Sequence, residues 1–334
     1  MNRALATRAA VLALAAVVAA WGVSSVREIG RKPSGGYATD GDNTVTRVAA
    51  RGPGERAGLR PGDYIRSING IPVEAAAELA ELGRAAVGET RTLVVERDGA
   101  TQHLQLTYAG LDSRERQRAW GGILVGFSFL GFCTAAFLAR DSRAARALAL
   151  MGLGLGLAFF SGPYFEAAAA RSVANTLRNA MVSVGIAATV HFLLLMPRPR
   201  PFIARARGVW LLYAPVGMFF LLVAWRALAR PEATSGLNQL TNQFGGLLMG
   251  GYFLLGVTVL LRGYIRTARR ERRETGMGLL FWGVVVGLAP LVLARLAATV
   301  SGGPGLPGAD LYFLALAAVP ASWSAAARRW AGAG

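Results

Sequence analysis

The sequence predicts a polytopic α-helical membrane protein of about eight spans, with one small α+β domain inserted after the first span. Three observations predict it. Of 334 residues, 53% are apolar and only 16% are charged, a balance that places much of the surface of so long a chain against lipid. The apolar residues gather into eight runs, at about 9–26, 120–139, 145–161, 176–196, 208–225, 244–261, 277–297 and 310–327, where a helix needs roughly 20 residues to cross the hydrocarbon core. Residues 27–118 break the pattern: they hold 14 basic and 13 acidic residues and no long apolar run.

The first run follows Arg3 and Arg8 and lacks a clean small-residue cleavage site after Val23-Ser24-Ser25. It is expected to be an uncleaved anchor over residues 1–26, with a cleaved leader as the alternative. The seven later runs form a helical domain over 119–327. None of the eight holds an acid near its centre. Glycine pairs four residues apart (Gly122 and Gly126, Gly246 and Gly250, Gly283 and Gly287) suit close backbone approach between helices. Pro215, Pro290 and Pro320 are expected to kink their helices. Gly152, Gly154 and Gly156 follow no strand and read as packing glycines.

The charge gives the threading. The net +17 first suggests a polyanion. With the N-terminus inside, however, the inner segments 1–8, 140–147, 197–207, 262–275 and 328–334 hold 17 basic residues. The short outer loops hold five: Arg171, Arg178, Arg226, Arg230 and Arg295. The excess therefore follows the positive-inside rule, with both termini cytoplasmic, residues 328–334 as a tail and residues 27–118 outside. No nucleic-acid partner is called for. Membrane lipid is a partner, and the densest run, Arg262–Arg273, also suits anionic head groups. The single cysteine, Cys133, excludes a disulfide framework and a cysteine zinc site.

Within the insert, residues 27–43 are rich in Gly, Pro and Asp from residue 30 onward and read as linker. Thr44–Val48 alternates as a strand. Arg56–Leu59 reads as a helical turn ended by Pro61-Gly62, and Asp63–Ile68 as a strand closed by the Asn69-Gly70 turn. Glu74–Ala86 reads as a helix with Leu79, Leu82 and Ala86 on one face. Thr92–Arg97 and His103–Thr107 read as strands around Asp98-Gly99.

The string VTRVAARGPGERAGLRPGDYIRSINGIPV from Val45, then a helix, then TLVVERDG and QHLQLTY, resembles a PDZ domain of the bacterial type over residues 35–108. High-temperature-requirement proteases and site-2 proteases carry such domains, and the segment Ala57–Gly70 bears the specific part of the likeness. The resemblance implies capture of a peptide or protein C-terminus. A loop of backbone N–H groups takes the carboxylate, and the peptide adds as a strand beside a helix. It places the loop at Ser34, Gly35, Gly36 and Tyr37, and the helix face at Ala76, Ala80 and Gly83. The plain GLGF-like string is absent and the stretch to the next strand is short.

Catalytic groups are not expected. H-E-x-x-H is absent, and the two histidines, His103 and His191, lie far apart in the chain. His103 has no serine motif around it, and Ser161-Gly162 lacks the glycine that a rhomboid-like site carries. No phosphate loop, kinase string or dinucleotide fingerprint occurs, and no cofactor is expected. His191 reads as a helix-end residue hydrogen-bonded to a neighbouring helix, with a pH-sensitive or ligand-contacting role as the alternative.

HFLLLMPRPRP (His191–Pro201) and LALAAVPASWSAAARR (Leu314–Arg329), placed after an anchor and an outer domain, resemble the sensor module of competence-pheromone-type histidine kinases and related membrane-bound phosphatases. That resemblance implies the sensory half of such a protein, either with its output in a separate cytoplasmic kinase or phosphatase or as a truncated kinase or phosphatase; with the usual catalytic groups absent, it is not expected to be an enzyme. The alternative is an adaptor that recruits substrates to an envelope protease or assembly machinery.

Overall fold

The structure is a computed structural model that describes residues 3–40, 42–228, 234–301 and 308–329. Gly41 of the predicted linker, Arg230 and Glu232 of a predicted outer loop, and residues 330–334 of the predicted tail lie outside the described residues. The first helix, α1 (Arg3–Ile29), leads into a small β-rich domain, and among the described residues nine further α-helices with one 3-10 helix follow from residue 113.

Six helices among the described residues are long and apolar enough to cross a membrane. They lie within α1, α4 (Ser113–Ala139), α6 (Ala168–Leu195), α8 (Ala206–Leu228), α9 (Thr234–Arg266) and α11 (Met277–Ser301). The expected count of about eight is therefore not reached by length and composition. The run at 145–161 becomes α5 (Arg143–Ala158), started by Ser142 Oγ accepting Ala145 N–H at 3.1 Å. Its 16 residues span only about 24 Å. The run at 310–327 divides into a 3-10 helix (Ala309–Ala317) and α12 (Ala318–Arg329). Pro320 explains the break: in a helix running through from residue 309 its ring would strike the carbonyl of Leu316, whereas in the first turn of α12 its missing N–H costs nothing. Short helices α7 (Pro201–Ala204) and α10 (Arg269–Glu274) lie at the end of the bundle away from the domain.

Despite its length, α5 is the most enclosed helix, packed between α4 and α6 with Leu148, Ala149, Met151 and Leu153 fully buried. Glycine permits this. A Cβ on Gly154 would lie 2.3 Å from the Met181 carbonyl oxygen and 2.6 Å from Gly185 Cα. Gly126, Gly283 and Gly287 also face neighbouring helices closely, whereas Gly246 and Gly250 meet nothing. The segments His191–Pro201 and Leu314–Arg329 meet in the core, where Phe192 stacks on Trp323 at 5.3 Å. His191 Nδ1 lies 3.3 Å from Tyr213 Oη on α8, the helix-to-helix contact read from sequence.

The β-rich domain comprises β1 (Pro33–Ser34), β2 (Tyr37–Thr39), β3 (Val45–Val48), α2 (Pro53–Arg56), β4 (Tyr64–Ile68), β5 (Ile71–Pro72), α3 (Ala76–Leu82), β6 (Thr90–Arg97), β7 (Ala100–Thr107) and β8 (Ala109–Gly110). The main sheet runs β5-β4-β6-β7, all antiparallel. β3 joins it through the Thr44–Tyr64 bridge and carries β2 on its other side. Three sequence expectations are corrected. The linker 27–43 contains β1 and β2, which are too short to show alternation. The helical turn begins earlier, at Pro53, because proline is preset for a first helical position. The helix expected over 74–86 is shorter, since Gly83 leaves it at φ +70°. Val45, Leu59, Ile65, Leu93, Val95 and Leu106 form the core.

Candidate peptide-binding site

The loop read from sequence is held by α4. Ser34 pairs with Ala109 in the β1–β8 ladder. Its hydroxyl accepts the Gly36 N–H at 3.1 Å and donates to Glu115 Oε1 at 2.7 Å. The other oxygen of Glu115 accepts the Asp112 N–H at 3.0 Å, and Asp112 Oδ1 accepts the Glu115 N–H at 2.7 Å. This reciprocal pair is a capping box that starts α4. One loop N–H is thus linked by a single hydroxyl to the cap of a membrane helix.

Gly36 sits at φ +66°, and a Cβ there would lie 2.7 Å from Pro53 Cδ, so glycine is required. Tyr37 packs on the domain core beside Tyr108. Loss of water raises its phenol pKa above the ordinary value, and the neighbouring Tyr108 raises it further. Among the described residues β2 has a strand partner only on the β3 side. Its three-residue outer edge is therefore where an extended peptide would add.

The helix residues lie at a second place. Ala76 begins α3. The Ala80 carbonyl accepts from Arg171 Nη2. The Gly83 carbonyl accepts from Arg91 Nη1 at 3.0 Å, and a Cβ on Gly83 would lie 2.9 Å from Tyr164 Oη. Next to it, the Arg84 N–H donates to Tyr164 Oη at 2.7 Å. The Arg84 guanidinium lies 4.2 Å from the centre of that ring and pairs with Glu28 at 2.8 Å. The end of α3 is therefore docked on the α5–α6 connection, and Ala80 and Gly83 belong to that contact. The structure brings Ser34, Gly35, Gly36 and Tyr37 together, and among the described residues no hydrogen bond joins them to α3.

Sequence reasoning missed Glu115, Arg84, Tyr164 and Arg171. Asp112-x-x-Glu115 is a readable capping pattern, but its reach to Ser34 depends on β1 and β8, which have no pattern. Tyr164 and Arg171 carry no sequence signal at all.

Behind the loop, Asp63 fixes the domain. Its residue is 1% exposed. Arg97 Nε and Nη2 donate to its two oxygens at 2.6 and 2.7 Å, and the Arg60 N–H adds a bond at 2.8 Å. The hydrogen bonds from Arg97 hold the carboxyl below its ordinary pKa against the opposing effect of burial.

Residues 44–97 match the sequence profile of the PDZ domain. The insert is a PDZ domain. The chain is also 35% identical over 105 residues to a putative zinc metalloprotease of Vibrio cholerae, covering 31% of this chain and 21% of that protein. It is 35% identical over 83 residues to a probable periplasmic serine endoprotease, DegP-like, of Ectopseudomonas mendocina, covering 25% of this chain and 18% of that protein. The chain thus spans about a fifth of either relative. Among the described residues no group of three or more His, Cys, Asp or Glu side chains could hold a metal ion. What the fold offers around the PDZ domain is a short free strand edge, a glycine loop and a helix pinned to a membrane bundle.

Proposed function

We propose that this membrane protein is a non-catalytic sensor. Its PDZ domain, on the extracytoplasmic side of a bacterial inner membrane, captures the C-terminus of a peptide or protein. The helical bundle passes that event to a cytoplasmic kinase or phosphatase. The observation that carries the reading is the hydrogen-bond chain from Gly36 N–H through Ser34 Oγ to Glu115 and the cap of α4. A carboxylate arriving at the loop competes for the Gly36 N–H and brings a second negative charge toward Glu115, so binding acts on the start of a span.

The test is binding by the full chain in detergent, titrated with a library of C-terminal peptides and with the same peptides amidated. A ligand whose affinity falls at least tenfold on amidation is the expected result, since hydrogen bonds to a charged group contribute roughly 1.5–3 kcal/mol. Absence of any binding by folded protein would sink the proposal.

The orientation is testable separately. Cys133 is the sole cysteine and is fully buried, so an introduced thiol reports alone. Thr101→Cys, on the domain, is expected to react with a membrane-impermeant maleimide in intact cells lacking an outer membrane. Glu274→Cys, at the other end of the bundle, is expected to react only after permeabilisation. The reverse pattern overturns the arrangement.

A second reading rests on the relatives, both named as proteases: an adaptor that presents substrates to an envelope protease. Cross-linking in membranes separates the two. A kinase or phosphatase partner supports the sensor, and a protease partner whose cleavage depends on this chain supports the adaptor.

A further inference from the structure

We propose that the arginine pocket at the end of the bundle away from the PDZ domain binds the phosphate of an anionic membrane lipid. The pocket, of about 620 Å³, is formed where α9 ends, α10 turns, α11 begins and α12 ends. Its charged lining is Arg269, Arg272, Arg273 and Arg329.

The acids of this region are engaged elsewhere. Glu271 pairs with Arg198 at 3.2 Å and Glu274 with Arg270 at 3.4 Å. Neither of those arginines lines the pocket. Among the described residues no carboxylate pairs with any of the four that do. Four like charges around one cavity repel one another, and an anion in the cavity relieves this. Guanidinium groups match phosphate oxygens in pairs.

Two features build the site. The Arg272 guanidinium lies 4.1 Å from the centre of the Tyr264 ring, which stacks at 4.1 Å on Phe281, and Arg272 Nε donates to the Thr267 carbonyl at 2.7 Å. Gly276 stands at φ +73°, where a Cβ would lie 2.9 Å from Ala326 Cα. This close approach brings the last turn of α12, with Arg329, beside α10.

The rim selects lipid over a free anion. Trp282 lines the pocket and is 56% exposed, and Ile265 on the adjoining α9 is 64% exposed. Such an aromatic belongs at the head-group level of a bilayer, with acyl chains against the apolar flank below it.

The experiment is native mass spectrometry of the full chain in detergent with phosphatidylglycerol or phosphatidylcholine added. At least tenfold preferential retention of phosphatidylglycerol is expected. Each interfacial arginine is worth roughly fivefold in affinity for an anionic head group. The double variant Arg269→Gln/Arg273→Gln is therefore expected to lose about 25-fold in phosphatidylglycerol affinity and nothing for phosphatidylcholine. Both substituted side chains are exposed and on a short helix, and an unchanged unfolding temperature serves as the folding control. Single neutralisation by Arg329→Gln, on a different helix, repeats the test independently. Millimolar inorganic phosphate is the second arm. Arginine-dependent displacement of the lipid assigns the pocket to soluble phosphate, and failure to displace assigns it to lipid. Equal retention of the two lipids, or full preference kept by the folded variants, overturns the proposal.

Discussion

Asp63→Ala is expected to destabilise the PDZ domain by about 3–5 kcal/mol. The reason is what remains behind. Arg97 would lose both carboxylate oxygens of its one ion-pair partner in a site where its side chain is 15% exposed, and the Arg60 N–H would lose its acceptor. A domain this small has a total stability of only roughly 5–15 kcal/mol, so the change removes a large part of it. Protease susceptibility of residues 33–110 in the full chain, followed against denaturant, measures it. Unchanged susceptibility would refute the role given to Asp63. The ion pair also sets a pH dependence. The folded-state pKa lies below the unfolded one, so the contribution is fully present above the ordinary carboxylate range. It is lost as pH falls through the depressed value. Asp63→Asn is expected to be less stable at neutral pH and to lack that acid limb.

Gly154→Val is expected to have an effect of similar size on the bundle. The added Cβ would meet backbone, the Met181 carbonyl oxygen and Gly185 Cα, on a helix enclosed by α4 and α6. Backbone cannot swing aside as a flexible side chain does, so the α5–α6 pair must separate. Two or more helices would then lose close packing, at a cost on the order of 3 kcal/mol or more. Melting of the detergent-solubilised protein, monitored by aggregation or by a tryptophan signal, should show a drop of many degrees. Gly246→Val, whose Cβ meets nothing within 4 Å, is the control and should melt as the parent. Equal melting of both variants would show that the close approach does not support the bundle.

Much of this architecture was legible in the residues. The six long spans follow from apolar length alone, and the PDZ domain was legible through the family resemblance of Ala57–Gly70. The two spans that fell short could not be read in the same way, because apolar length does not report how a helix ends. α5 ends at Ala158, three residues before the apolar run does, and Pro320 splits the last run. The loop residues Ser34–Tyr37 lie together, from the end of β1 to the start of β2. What holds them was hidden, since the β1–β8 ladder is two residues long and Glu115 reaches Ser34 only once that ladder exists. Ala80 and Gly83 illustrate the limit of a face assignment. The helical period placed them away from Leu79 and Leu82, but could not say that Tyr164 and Arg171 occupy that side.

The β1–β8 ladder has a mechanical consequence. The chain enters the PDZ domain from α1 and leaves it into α4, and Pro33–Ser34 is zipped to Ala109–Gly110 just above the two helices. The domain therefore stands on a closed hinge rather than on two independent tethers. The contact of Arg84 with Tyr164 acts as a third foot. A body resting on a hinge and a foot cannot spin or drift freely. Any tilt about the line through the hinge would have to lift that foot. Any load applied at the glycine loop would reach the membrane as a torque shared by α1 and α4, and lifting Arg84 from Tyr164 would mark the tilted state.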